Sequence, residues 1–386
     1  MPLPLQDQIL SIDTARHGPF TFQIGVDGAD VETMLLRIND AQQRFRGSPL
    51  AQVANQLEKE VVVSSIFGTN SIEGGTLTEE ETRQAVELNP SQLQDTEQRR
   101  AHNLNQAYKL SQRAANTPGW LLDVAFVRNI HAVITDGLAD EYNQPGLLRD
   151  NAKGIVTHVG DQAHGGRYKP PQFGGDVALL LEQLVHWHQQ LVDAEVPVLI
   201  RAPLLHYYFE LIHPFWDGNG RVGRVLEATL LQAEGYLYAP FAQARYYFEH
   251  IDQYFSLFNH CRKQAEKKID NPNSDFVQFF LAGMLSSIHK LHDRVNNLVN
   301  VLLFENELKR RHDEKEINSR QYAIVSQIMQ AGTMSLSELR RAPWYLALYT
   351  RLTDKTKQRD LAQLKTEGLI NQDKDNRLWP GCIGPV

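Results

Sequence analysis

The tightest constraint in this chain is a twelve-residue run, His213-Pro214-Phe215-Trp216-Asp217-Gly218-Asn219-Gly220-Arg221-Val222-Gly223-Arg224, set between two apolar segments of helical period. Before it, residues 201–212 (RAPLLHYYFELI) carry apolar and aromatic side chains at helical spacing. After it, Val225, Leu226, Thr229, Leu230 and Leu231 repeat that spacing as far as Gly235. Such a chain must bury two helices and turn sharply between them, and the small residues of the loop fall where the second helix begins.

Each residue type in the loop suits chemistry on a phosphate. Gly218 and Gly220 lack a Cβ, so the backbone turns tightly and its N–H groups can approach a ligand. A helix N-terminus adds unpaired donors and a partial positive charge. Arg221 and Arg224, three apart, share a helix face and can grip phosphate oxygens through bidentate hydrogen bonds. Asp217 is a hard oxygen ligand suited to Mg²⁺, and His213 can take a proton from a hydroxyl near neutral pH. A lone His beside Pro, or a lone Asp-Gly-Asn-Gly turn, is ordinary packing; the combination is not, because packing needs none of these charges. Phe215 reads as the core anchor of the loop and carries no chemistry.

At every defined position the loop is similar to the signature H-x-F-x-[DE]-G-N-G-R-x-x-R of the Fic domain family. The resemblance implies a mainly α fold, a Fic helical core with a small β-hairpin flap. It also implies transfer of AMP from Mg²⁺-bound ATP to a Tyr, Thr or Ser hydroxyl of a protein, which can be the chain itself. Some relatives use other nucleotides or phosphocholine donors. In this reading His213 is the catalytic base and Asp217 the Mg²⁺ ligand. Nucleotide contacts run from Asp217 through Gly218, Asn219 (backbone and side chain), Gly220, Arg221, Val222, Gly223 and Arg224. Arg221 holds the β-phosphate side and Arg224 the γ-phosphate.

Upstream, Thr69-Asn70-Ser71-Ile72-Glu73-Gly74 resembles the inhibitory motif [ST]-x-x-x-E-[GN] of many Fic proteins. Lying before the loop, it marks the class with an N-terminal inhibitory helix. Glu73, paired with Arg224, would occupy the guanidinium fork and put negative charge where a γ-phosphate belongs. The pattern is short, and by itself also fits an ordinary helix end.

Residues 154–160 (GIVTHVG) read as a short strand between glycines, followed by a polar turn to Gly166. The resemblance puts the flap here, with Thr157, His158, Val159 and Gly160 offering a strand edge to an extended target segment. Relatives carry paired tyrosines lining the adenine pocket in the helix expected at 249–267. The nearest pair is Tyr254-Phe255, one hydroxyl short, and Arg262 stands where some relatives have an Asn. His158 and His164 read as solvated flap residues, and His186, His188 and His206 as histidines satisfied within helices.

The 386 residues leave room for two or three domains, and the net charge of −7 argues against nucleic-acid binding by the whole surface. The start, MPLPLQDQIL, lacks the order of a signal peptide, and no run approaches the ~20 apolar residues that span a bilayer. Cys261 and Cys382 make neither a disulfide framework nor a zinc site. The expectation is a cytoplasmic protein with no membrane partner.

Three regions are expected: 1–95 with the inhibitory helix, 96–312 as Fic core with its C-terminal helices, and 318–386 as a small domain. Helices are expected near 30–46, 51–73, 78–88, 95–113, 121–135, 175–191 and 198–212. An irregular aromatic stretch at 236–247 and a long helix from 274 follow, the latter ending in a charge run at 307–316 that reads as a solvated helix end and linker. Helices at 320–330, 335–341 and 355–367, with the run after Thr353, resemble a winged helix-turn-helix domain, whose third helix can enter a DNA groove. Lys355, Lys357, Arg359 and Lys365 suit phosphates, while Asp354 and Asp360 dilute their charge. DNA, another protein or a second copy of the chain (a homodimer) all remain open as partners. Two rival activities also remain open: hydrolytic removal of AMP with Glu73 positioning water, and a DNA-binding regulator whose Fic domain senses nucleotide.

Overall fold

The structure, a computed structural model, describes residues 8–49, 53–151 and 154–382. The N-terminal residues 1–7 and Ala51, where the sequence starts the second helix, lie outside them. Two compact units result, one from residues 1–47 and 54–292, the other from 48–53 and 293–386.

The first unit opens with a hairpin that the sequence left unplaced, β1 (Leu10–Asp13) against β2 (Pro19–Phe22), antiparallel with Leu10 opposite Phe22. Its turn is pinned from a distance: the buried Asp176 carboxylate accepts the N–H groups of Ala15, Arg16 and His17, each at 2.9 Å. Helices α1 (Gly28–Arg46), α2 (Ala54–Ile72) and α3 (Glu79–Glu87) follow. α2 buries Leu57, Val61 and Ile66 and stops at Gly74, whose φ of +80° only glycine adopts freely. The predicted capping box of α3 is present, with Thr78 and Glu81 satisfying each other's backbone N–H.

α4 (Thr96–Ala115), α5 (Val124–Ile134) and α6 (Gly174–Asp193) surround α7 (Val198–Ile212) and α8 (Asn219–Ala233), which are buried on nearly every side. α7 and α8 pack closely because Gly223 has no side chain; a Cβ there would stand 2.9 Å from Glu210 Oε1 and 2.8 Å from the His206 ring. α9 (Ala239–Glu249) lies against α2 in the same way, where a Cβ on Gly68 would be 2.9 Å from the Ala244 carbonyl. The sequence reads 236–247 as irregular. It is helical because Pro240 falls in the first turn, where its missing N–H costs nothing, and Phe241 and Tyr247 bury one face. α10 (Ile251–Glu266) and α11 (Ser274–Asp313) complete the helices.

The expected flap strand shrinks to one antiparallel bridge, Val159 with Tyr168, bonded both ways at 2.9 and 2.8 Å. Gly154, Gly160, Gly165 and Gly166 all take positive φ, which breaks any longer ladder.

The division between units falls inside α11. The run 307–316, read as a solvated helix end and linker, is helical to Asp313, with Arg310 and Arg311 paired to Glu307 and Leu308 in the core of the second unit. That unit continues with α12 (Ser319–Ala331), β3 (Met334–Ser335), α13 (Leu336–Arg341), α14 (Pro343–Leu348), α15 (Asp354–Thr366), β4 (Ile370–Gln372) and β5 (Arg377–Pro380). Its antiparallel sheet has the order β3-β5-β4, and Ile324, Val325, Leu339, Leu364 and Leu378 fill its core. α14 was not anticipated. Asp360 does not dilute the exposed charge of α15: it is buried, accepting from Arg320 Nε and the Tyr349 hydroxyl, both at 2.9 Å. Among the described residues no helix is long and apolar enough to cross a membrane.

Candidate active site

α7 ends at His213, which takes a left-handed conformation (φ 50°, ψ 63°) that a non-glycine residue holds only under constraint. Arg149 supplies the constraint. Fully buried, it donates from Nε to the His213 carbonyl at 2.6 Å and from Nη2 to the Ile212 carbonyl at 3.2 Å. Its Nη1 reaches Asn151 Oδ1 at 2.7 Å, and its backbone N–H reaches the Pro214 carbonyl at 2.9 Å. Burial pulls its pKa down to about 10, which still leaves it charged at neutral pH.

Phe215 is the predicted anchor, and its ring lies flat on His131, centroids 3.7 Å apart. His131 Nδ1 accepts from the Gly146 N–H at 2.9 Å, so Nε2 carries the proton and donates to the Asp217 carbonyl at 3.2 Å. Desolvation holds its pKa near 4, so the ring stays neutral. Asn219 closes the loop on itself: its amide gives and takes 2.9 Å hydrogen bonds with the Phe215 backbone. The sequence reading also offered this side chain to a phosphate; here it is committed to the loop.

The other face of the loop is less satisfied. Gly218 (φ +82°) leads into α8, whose first N–H groups lack partners within the helix. Arg221 is 2% exposed. Its Nη2 meets Asp217 Oδ2 at 2.8 Å, while Nε and Nη1 are buried without a hydrogen-bond partner. Burial would raise the pKa of Asp217, but the Arg221 guanidinium and the Gly218 N–H outweigh it and hold the carboxyl below its ordinary range.

Arg224 is equally buried, and its Nη2 forms an ion pair with Glu73 Oε1 and reaches the Thr69 carbonyl at 3.3 Å. A Cβ on Gly220 would collide with that carboxylate. A buried relay stands behind the arginine: Nη1 to the Tyr254 hydroxyl (3.3 Å), that hydroxyl to His206 Nε2 (3.1 Å), His206 Nδ1 to Glu227 (2.8 Å). Burial alone would lower the pKa of Arg224; Tyr254 and Glu73 more than offset it, and the net shift is upward.

Glu73, Gly220 and Arg224 line one end of a cavity of about 290 Å³ that continues under flap residues Val159 and Gly160 to Phe255 of α10. The flap is fastened to α10: Asn259 Nδ2 donates to the Gly166 carbonyl at 2.6 Å, and His164 lies between Asp161 (2.9 Å) and Asp252 (3.1 Å). Arg262 stacks on Tyr168, 5.0 Å from the ring centroid.

The structure thus gathers Glu73, Gly220, Arg224, Tyr254, Phe255, Val159 and Gly160 around one cavity, with His213, Asp217, Gly218, Asn219 and Arg221 on the adjoining loop. Val222 is buried in the core and Gly223 faces α7. Tyr254 is buried, its hydroxyl taken by Arg224 and His206, so it braces the arginine as much as it lines the cavity. Thr157 is tied to Asn151 and Gln172 at the base of the flap, and His158 is exposed. Sequence reasoning missed His131, Arg149, Glu210, Glu227 and Asn259. For Glu210 and Glu227 there was a signal, an acid inside an otherwise apolar helical run; for His131 and Arg149 there was none within their own segments.

Residues 121–231 match the Fic/DOC family, so the chain carries a Fic/DOC domain. It is 30% identical over 179 residues to the protein adenylyltransferase Fic of Drosophila ananassae, covering 46% of this chain and 34% of that protein. It is 29% identical over 188 residues to the same enzyme of Drosophila melanogaster, again covering 46% and 34%. The chain therefore spans about a third of the length of these curated relatives. Among solved structures, a Fic family protein from Desulfovibrio desulfuricans shares the fold across 92% of this chain and 97% of its own (TM-score 0.55, 17% identity). Fic-1 from C. elegans does so across 69% and 73% (TM-score 0.54, 20% identity).

Proposed function

We propose that this chain is a protein adenylyltransferase that moves AMP from Mg²⁺-bound ATP to a Tyr, Thr or Ser hydroxyl of a target protein, and that Glu73 restrains it. The observation that carries the reading is Arg221, a buried charge with two unpartnered nitrogens at the start of α8. Leaving such donors unmet costs about 1–3 kcal/mol, which an anion would recover. The names of the relatives, protein adenylyltransferase Fic, support the same chemistry.

The fit to Mg²⁺ rests on Asp217, a half-exposed carboxylate at the mouth of the loop. Among the described residues no cluster of three His, Cys, Asp or Glu can enclose a metal, which suits an ion held by one carboxylate, phosphates and water. Bound there, Mg²⁺ would supply positive charge to the phosphate oxygens. The N–H groups of Asn219, Gly220 and Arg221 and the Arg221 guanidinium bind the α- and β-phosphates, and Arg224 the γ-phosphate, while the Gly218 N–H stays on Asp217. His213 takes the proton of the target hydroxyl as its oxygen bonds to the α-phosphorus. The bond from that phosphorus to the β-bridging oxygen breaks, and pyrophosphate leaves. Catalysis is mostly positioning and charge stabilisation. With Glu73 seated on Arg224 and against Gly220, the γ-phosphate loses its place and transfer stalls.

The test compares wild type, Glu73→Gly and Glu73→Gly/His213→Ala with Mg²⁺ and α-labelled ATP, with and without lysate, read by intact mass and autoradiography. AMP should appear with Glu73→Gly at about tenfold or more over wild type, and the second change should lower it by ~10²-fold or more. No AMP on any protein with Glu73→Gly would refute the reading. For the second unit we propose a winged-helix docking module: Lys355 and Arg359 are exposed on α15, whereas Lys365 donates to Gln372 and Lys357 is tied to Asp354 at 2.9 Å.

A further inference from the structure

We propose that Glu210 is the positioning residue of the catalytic base, holding the His213 imidazole in the tautomer and orientation that take the hydroxyl proton. The proposal rests on the adenylyltransferase reading for its chemistry, but not for its geometry.

Glu210 sits in the last turn of α7, three residues before His213. Its side chain is 12% exposed and that of His213 is 21% exposed. Glu210 Oε2 stands 3.6 Å from His213 Nδ1. Glu210 Oε1 and His213 Nδ1 are both buried with no hydrogen-bond partner. Among the described residues Glu210 forms no ion pair with a Lys or Arg, so it is not there to neutralise a structural cation. The fold also makes room for it, since the missing Cβ of Gly223 is what lets α8 close over Oε1. A nearly buried carboxylate with Oε1 unmet, whose other oxygen faces an unmet imidazole nitrogen, is costly unless carboxylate and ring meet. In a site without substrate such bonds are commonly long and tighten when the reactants bind.

The consequence for the reaction is specific. With Nδ1–H directed at Glu210, the lone pair lies on Nε2. As the target oxygen bonds to the α-phosphorus and pyrophosphate departs, the hydroxyl proton moves to Nε2. The Glu210 carboxylate then faces a full imidazolium and stabilises it until that proton passes to water. Other groups around the pair differ in kind. Arg149 bonds the His213 carbonyl rather than the ring, Tyr254 and His206 belong to the relay behind Arg224, Glu73 is paired with Arg224, and Asp217 with Arg221. Among the described residues Glu210 is the one acid within ion-pair distance of Nδ1.

The experiment uses the full chain. In the Glu73→Gly background, Glu210→Gln keeps size and shape and removes the charge. It should lower kcat for AMP transfer by ~10²-fold with the KM for ATP held within about twofold. A carboxylate beside the ring favours the imidazolium, so without it the acid limb of the rate profile should move to lower pH. Glu210→Asp should recover part of the rate. Independently of transfer, an NMR titration of the His213 imidazole without nucleotide, assigned with His213→Asn, should show the same downward shift in Glu210→Gln. If that titration does not move, the proposal is overturned whatever the rates do. A fall in kcat with an unmoved pH profile would overturn it too, leaving Glu210 a packing residue. If the imidazole shifts but the Glu73→Gly protein transfers no AMP, the pair stands and the adenylyltransferase reading falls.

Discussion

Arg149 and Arg221 serve the same loop and are equally buried, yet they are satisfied to opposite degrees. Arg149 gives each of its guanidinium nitrogens an oxygen, and its N–H reaches a fourth. Arg221 has one carboxylate and two nitrogens with nothing to bond. The same split runs through the rest of the site. His131, Phe215 and Asn219 form an anchored face in which the His131 ring and the Asn219 amide have their partners. Arg221, His213 and Glu210 form an open face with unmet donors and acceptors. Buried polar groups are normally hydrogen-bonded, so the first pattern is architecture. The second pattern costs stability, and a ligand that supplied the missing partners would offset that cost.

Breaking that contrast is most direct at the two arginines. Arg149→Met should leave the Ile212 and His213 carbonyls unmet and release the left-handed His213. A loss of about 3 kcal/mol is expected, seen as a drop in Tm of roughly 6–12 °C for the first unit. Arg221→Met should behave differently, because it removes a buried charge that was already short of partners. Its Tm should stay within about 3 °C of wild type while ATP affinity, measured by calorimetry on the Glu73→Gly protein, falls about tenfold or more. Equal losses of Tm in the two variants would abolish the distinction between the faces.

The sequence revealed most of the open face, Glu210 excepted, and of the anchored face it showed Phe215 and Asn219 but not the distant side chains that hold them. His213, Asp217, Arg221 and Arg224 announce themselves because charges and small residues interrupt an apolar helical pattern within a dozen positions. Glu73 was legible from a glycine-stopped helix end and from its resemblance to an inhibitory motif. The anchors come from elsewhere in the chain. Arg149 lies 64 residues before His213 and His131 lies 86 before Asp217, so no local period records either contact. Most helices were readable from apolar spacing and caps, as with Thr78 and Glu81. At α9 burial overrode local preference, since aromatic residues that weaken a helix in isolation close one of its faces. At the flap the reverse holds, since glycines at positive φ reduced an expected strand to one bridge.

The smallest expected effect lies in the fastening of the flap, which divides between fixed and titrating contacts. Asn259 and Lys263 donate to flap carbonyls at 2.6 Å whatever the pH near neutrality. His164 titrates, and Asp161 first and Asp252 second raise its pKa above the ordinary value. A raised pKa means that the protonated ring stabilises the fastened flap below its unfolded value, and that this contribution is lost as pH rises through the folded one. At the acid end the limit is Asp161, whose pKa His164 lowers in return. The contact should therefore be strongest in mildly acidic solution and weaken above neutrality. Hydrogen exchange of residues 159–168, corrected for intrinsic rate, should be faster at pH 8 than at pH 6 by about twofold, the small size reflecting an exposed pair. His164→Gln should remove that difference while leaving exchange at pH 8 nearly unchanged. Equal pH dependence in the two proteins would assign the fastening to Asn259 and Lys263 alone, and with it place the whole flap on the anchored side of the contrast.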